Sequence, residues 1–143
     1  MTAKDGYRFE ELSVGMAHET HHTITEEDIV LFAKVSGDYN PIHMDEEYAK
    51  ETAFGQRIAH GALTASYISG ILGNNLPGPG AIFTHLEMRF RRPVLIGDTV
   101  TARAEIIELI ERGNRATLKI VCSVDGKPVV SGEAKVMVPP RED

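Results

Sequence analysis

The sequence predicts an α+β domain in which one long, mostly buried helix packs against an antiparallel sheet of about five strands, and three observations predict it. Residues 61–72, GALTASYISGIL, are apolar or small nearly all round, the mark of a helix covered on most of its faces. Four segments, 81–91, 99–110, 115–124 and 129–138, are rich in Ile, Val, Thr or Phe. They alternate in part with period two, as where Leu86, Met88 and Phe90 interleave with Glu87, Arg89 and Arg91. Between the last two lies Asp125-Gly126, a pair that tolerates positive φ at both positions, so these strands pair antiparallel through a tight turn.

In chain order, a strand near 19–24 supplies the fifth. Thr25-Glu26-Glu27-Asp28 then reads as a helix start, with Thr25 as N-cap and acids against the positive end of the helix dipole. Ile29, Leu31, Phe32 and Val35 continue that helix until Gly37. Pro41 bars Asn40 from the helical region and has no N–H to donate, so residues 38–43 form a fixed bend rather than one helix face. Asp45 caps a second short helix through Ala49, which Ala53-Phe54-Gly55 ends. Pro77-Gly78-Pro79-Gly80 is a turn. It is no phosphate loop, because it lacks the Lys and Ser/Thr of that motif and precedes a strand.

The 143 residues carry no repeat, linker or low-complexity tract, so a single domain over 1–143 is expected. Hydrophobic residues make up 42% and charged ones 25%, as in soluble proteins, and no apolar run approaches the roughly 20 residues that span a bilayer. The opening MTAKDGYRFEEL is polar and acidic where a secretory signal needs a basic start and an apolar stretch, so a cytoplasmic location is expected. The formal charge of −6 argues against nucleic acid as a partner. Arg89, Arg91 and Arg92 in MRFRRP are a local exception, either a solvated strand end or a contact for a ligand's phosphates. Cys122 is the only cysteine and sits in an apolar run, which excludes an intrachain disulfide and predicts a buried thiol. His18, His21 and His22 cluster, but adjacent residues of a strand face opposite ways, so no metal site is expected there.

The chemistry concentrates in SGDYNPIHMD, where Asp38 and His43 stand five residues apart in the bend. A carboxylate and an imidazole aimed at one small space suit the holding of one water and the shuttling of its protons. SGDYNPIHMD, followed by AFGQRIAHGALTASYISGILG, resembles the (R)-specific enoyl-CoA hydratases of the MaoC-like, hot-dog-fold superfamily. The resemblance covers roughly residues 9–138; D-x-N-P-x-H is its specific part, and the strands alone carry little.

The resemblance implies a hot-dog fold, a sheet wrapped around the central helix. It implies that Asp38 and His43 hold the water that adds across a trans-2-enoyl thioester, its oxygen going to C3 and a proton to C2, with either residue as the donor to C2. Asn40 matches an asparagine that ties down the bend, and Ser69 matches a serine near the catalytic aspartate. On chemistry alone Ser69 reads first as a helix hydroxyl bonded to backbone. Gly61 follows His60 at the start of the central helix, where unpaired N–H groups and the positive dipole end suit a thioester oxygen that gains negative charge. A side chain there would block the thioester, whereas the plain alternative is that Gly61 only starts the helix. His60 itself reads as structural. Leu72 and its helix neighbours are expected to line the acyl pocket. A CoA thioester as substrate, no cofactor or metal, and a homodimer joined edge to edge complete what the resemblance implies. Three alternatives stay open on the same scaffold: a 3-hydroxyacyl-ACP dehydratase, an acyl-CoA thioesterase and a non-catalytic acyl-thioester-binding module.

Overall fold

The computed structural model describes residues 6–140, so the expected domain span of 1–143 runs past the described residues at both ends. A single 3-10 turn (Phe9–Glu11) leads to β1 (Ala17–Thr23), then to α1 (Glu26–Ser36), α2 (Pro41–Met44), α3 (Glu46–Lys50) and the long α4 (Gly61–Asn74). Four strands come next: β2 (Ile82–Phe90), β3 (Thr99–Ile110), β4 (Arg115–Val124) and β5 (Lys127–Met137). All five strands form one antiparallel sheet in the order β1-β3-β4-β5-β2. The expected hairpin is present, with Asp125 at φ 50° and Gly126 at φ 77° between the paired Val124 and Lys127.

The core lies between the concave face of the sheet and one side of α4. Val100, Ala102, Ala104 and Ile106 of β3 and Leu118, Ile120 and Cys122 of β4 pack there with Leu63, Ile68, Ile71 and Leu72. Packing rather than propensity holds α4, since Gly70 and Gly73 each cost a helix about 1 kcal/mol against alanine, while burying one Leu or Ile returns about 1.5–3 kcal/mol. The Cys122 thiol is fully buried, and desolvation raises its pKa to about 12.

Three sequence expectations change. The central helix is open along one side: Ala62, Ser66, Ser69, Gly70 and Gly73 are not buried, because the sheet covers α4 from one direction only. Strand β2 does not alternate; Ile82, Phe83, Leu86 and Phe90 are all exposed on this strand, one of the two outer ones, which borders only β5. Finally, the bend ends at Asn40, and Pro41 opens a one-turn helix on which His43 sits. A proline at the first helical position loses no hydrogen bond, so the residue that breaks helices elsewhere starts one here. Asn40 is itself non-helical, at φ −52° and ψ 126°, as a residue before proline should be.

Gly132 of β5 faces β2 across the ladder, opposite Met88. A Cβ built there would overlap the carbonyl oxygen of Glu87, so only glycine lets β2 lie at pairing distance.

Candidate active site

Local hydrogen bonds carry the chain from α1 to α2. Gly37 ends α1 in the left-handed region at φ 78°. The Ser36 hydroxyl donates to the Phe32 carbonyl at 2.6 Å and accepts from the Asp38 amide at 3.1 Å. Asp38 Oδ1 then accepts from the Asn40 amide, and Asn40 Oδ1 from the Ile42 amide, each at 3.1 Å. Each polar side chain thus fixes the residue two positions on, the turn-forming habit of Ser, Asp and Asn. Asn40 serves the site as the N-cap of α2.

His43 is 8% exposed, and its Nδ1 lies 2.8 Å from the Ile58 carbonyl. A carbonyl only accepts, so Nδ1 carries a proton, and in the neutral ring the lone pair belongs to Nε2. That Nε2 stands 3.9 Å from Asp38 Oδ2, too far for a direct hydrogen bond. A water about 2.8 Å from each atom fits between them. The Asp38 side chain is 47% exposed, so solvent reaches the pair from the carboxylate side.

Two further residues hold this pair. His60, fully buried at the N-cap position of α4, makes no capping bond; its Nε2 donates to the Asp38 carbonyl at 3.0 Å. Burial lowers its pKa, which favours the neutral ring, and its centroid lies 4.1 Å from that of His43. His60, expected to be structural, holds the loop that carries Asp38. Arg57 was missed altogether: its Nε donates to the His43 carbonyl at 2.6 Å, and its other nitrogens reach Glu26. No spacing rule reveals either contact, since the Arg57 partners lie 14 and 31 residues away in sequence and the His60 partner 22.

His43 and Gly61 open onto one cavity of about 390 Å³, whose walls are largely apolar, with Phe54, Ile58, Phe90, Val94 and Val130. Gly61 is the first residue of α4, so its amide has no partner within the helix. A Cβ on Gly61 would come within 2.8 Å of the Phe90 ring, so glycine keeps this part of the cavity open. Thr64, one turn further, also lines the cavity, and its buried hydroxyl has no partner among the described residues. Arg91 and Arg92 line the exposed rim, where Arg91 Nε donates to the Ser131 hydroxyl at 2.7 Å and an Arg92 nitrogen to the Pro128 carbonyl at 2.6 Å. Arg89 is exposed on β2 and does not join them.

His43 and Gly61 therefore share one cavity and Asp38 stands beside His43, while Ser69 and Leu72 lie elsewhere. Ser69 is exposed eight residues beyond Gly61, about 12 Å along the helix axis. Leu72 is buried in the core rather than in the cavity wall. Of the N-terminal histidines, His22 stacks on Tyr67 at 3.9 Å and bonds Thr20, while His21 bonds Thr101. Ligand atoms of Asp38, His43 and His60 all lie within 4.8 Å of one another.

Known proteins resemble this chain over most of its length. The family model described as a MaoC like domain matches residues 11–125. The chain is 48% identical to an (R)-specific enoyl-CoA hydratase of Rhodospirillum rubrum, over 93% of this chain and 92% of that protein. It is 47% identical to a 3-hydroxybutyryl-CoA dehydratase of Methylorubrum extorquens, over 94% of this chain and 86% of the relative. Among solved structures, the unliganded R-hydratase PhaJ1 of Pseudomonas aeruginosa superposes with a TM-score of 0.89 at 41% identity, covering 95% of this chain and 88% of that one.

Proposed function

This chain belongs to the MaoC-like domain family and has the hot-dog fold, and from that premise we propose that it is an (R)-specific enoyl-CoA hydratase. It adds water reversibly to trans-2-enoyl-CoA and forms (R)-3-hydroxyacyl-CoA. One observation carries the reading: Asp38 Oδ2 and His43 Nε2 stand 3.9 Å apart, a gap that fits one water, and His43 lines the same cavity as Gly61.

Asp38, His43 and Gly61 divide the reaction. The thioester oxygen accepts the Gly61 N–H, and the charge that builds on it meets the positive end of α4. Water donates one hydrogen bond to Asp38 and one to the His43 Nε2 lone pair. As its oxygen bonds C3, the C2–C3 π pair moves toward the thioester and Nε2 takes the water's proton. The same Nε2–H then protonates C2, which restores the neutral ring. The tautomer set by Ile58 supports His43 rather than Asp38 as that donor.

The rim arginines Arg91 and Arg92 suit the phosphates of CoA, and Asn40 serves by shaping the bend. Within one chain Ser69 lies off the cavity on the open side of α4, so a part for it in acyl binding requires a second copy there, while Leu72 is buried in the core. Ile82, Phe83, Leu86 and Phe90, exposed along the outer strand β2, support a homodimer joined through that edge. The reaction is assigned to the cytoplasm, where CoA thioesters are made and used; among the described residues no helix is long and apolar enough to cross a membrane. Recovery of the chain outside the cytoplasmic fraction would overturn that assignment.

The deciding experiment follows the absorbance of crotonyl-CoA in the presence of a thiol probe, determines the product's configuration and measures sedimentation of the same preparation. Loss of the conjugated chromophore with no free thiol, an R product and a dimer are expected. Release of CoA means a thioesterase, reaction confined to acyl-carrier-protein thioesters means the carrier-linked dehydratase, and binding without turnover means a non-catalytic module. A monomer overturns the dimer.

A further inference from the structure

A helix of four residues cannot fix its own direction, because nucleation leaves it with almost no bonds of its own. Yet α2 carries His43, and a displacement of the order of 1 Å in a catalytic group is enough to cost about 100-fold in rate. Something outside α2 must hold it. At its start Asn40 caps it, and Ile58 receives the His43 ring. At its end the His43 carbonyl is one of the acceptors that a helix terminus leaves without an internal partner. Arg57 Nε meets that oxygen at 2.6 Å.

The other face of the same guanidinium grips Glu26 with two bonds, at 2.6 and 3.2 Å. Glu26 opens α1, whose far end hands the chain to Asp38. The planar fork therefore joins the first turn of α1 to the last turn of α2, the two helices between which Asp38 lies and the second of which carries His43. Arg57 is only 11% exposed, and its backbone neighbour Ile58 also bonds α2, donating to the Ile42 carbonyl at 3.2 Å. Glu26 by contrast is 58% exposed, and ion pairs with so much solvent on one partner add little to stability.

We propose that Arg57 is a positioning residue that sets the Asp38–His43 gap, with Glu26 as its anchor. The proposal rests on the hydratase reading, and its consequence falls on turnover more than on substrate binding, since the rim arginines are held by Ser131 and Pro128 rather than by this fork. Lysine is a poor substitute, because an ammonium has no planar fork to join a carbonyl and a carboxylate at once.

The test compares Arg57→Ala, Arg57→Lys and Glu26→Gln with the parent protein, after far-UV circular dichroism and thermal melting have established folding. For Arg57→Ala, kcat falls about 100-fold while KM changes less than about threefold; Glu26→Gln loses less, because the Nε bond to His43 remains. In parallel, nitrogen-15 correlation spectra report the His43 Nδ1–H, identified by its absence in His43→Ala. That resonance shifts or broadens in Arg57→Ala. A folded Arg57→Ala with kcat within about threefold of the parent overturns the proposal, and so does a loss of kcat with the His43 resonance unmoved. If Arg57→Ala does not fold, Arg57→Lys is read by the same criteria. If the parent hydrates no enoyl-CoA, the functional reading falls and the spectra alone decide: an unmoved resonance removes Arg57 from its role, and a moved one keeps it.

Discussion

On the side of the cavity that carries Asp38 and His43, position comes from side chains bonded to backbone: Ser36, Asn40, Arg57 and His60 each hold a main-chain group of the loop or of α2. On the facing side it comes from the sheet and its extension, where Phe90 pairs with Val130, the Arg91 amide donates to Val129 at 2.8 Å, and the Ala59 amide to Val94 at 2.7 Å. A single hydrogen bond contributes only about 0.5–1.5 kcal/mol net, so the first side can be disturbed one residue at a time. A ladder is cooperative, and shortening one side chain hardly moves it, although a Cβ added at Gly132 would. Chemistry and binding are thus assigned to walls of different stiffness, and substitutions on the two should separate in kinetics.

The largest effect sharpens this contrast. Asp38→Asn and His43→Ala should each lower kcat by about 10³-fold or more while leaving KM within a few-fold, since the facing wall is untouched. Near-normal hydration of crotonyl-CoA by either variant would remove the pair from the mechanism. Gly61→Ala lies where the two walls meet. Its methyl group would press on the Phe90 ring and narrow the approach to the amide, so kcat/KM should fall about 10- to 100-fold with both parameters affected. A pure KM effect there would mean that Gly61 belongs to the binding wall alone. The smallest effect belongs to the rim. Alanine at Arg91 and Arg92 together should raise KM for CoA substrates about 3- to 10-fold with kcat unchanged, and less so at high salt. An unaltered KM would take the phosphates away from these two residues.

Those parts of the molecule whose cause is local were legible in the sequence. Thr25, Gly37 and Asp45 cap where their chemistry says they should, Asp125-Gly126 turns as its φ tolerance requires, and β3 and β4 begin and end where the apolar runs do. Pro41 constrains Asn40 as its ring predicts, yet it opens a helix where only a bend was expected, because the same fixed φ that breaks a helix interior fits its first position. The exposure of β2 and of one side of α4 depends on strand order, which no window of residues contains. The grips of Arg57 and His60 depend on chain reversals between residues far apart in sequence, and neither type of side chain announces its acceptor.

Gly132 touches neither the water nor the thioester, yet β2 and the Phe90 it brings to the cavity rim lie at pairing distance only because nothing projects from that Cα. If every position of the gene were randomised and the survivors selected for hydration, codon 132 would return a single amino acid. Its intolerance would rival that proposed for Asp38 and His43, and in a mutational map of the enzyme it would stand as an apparent active-site residue with no chemistry of its own.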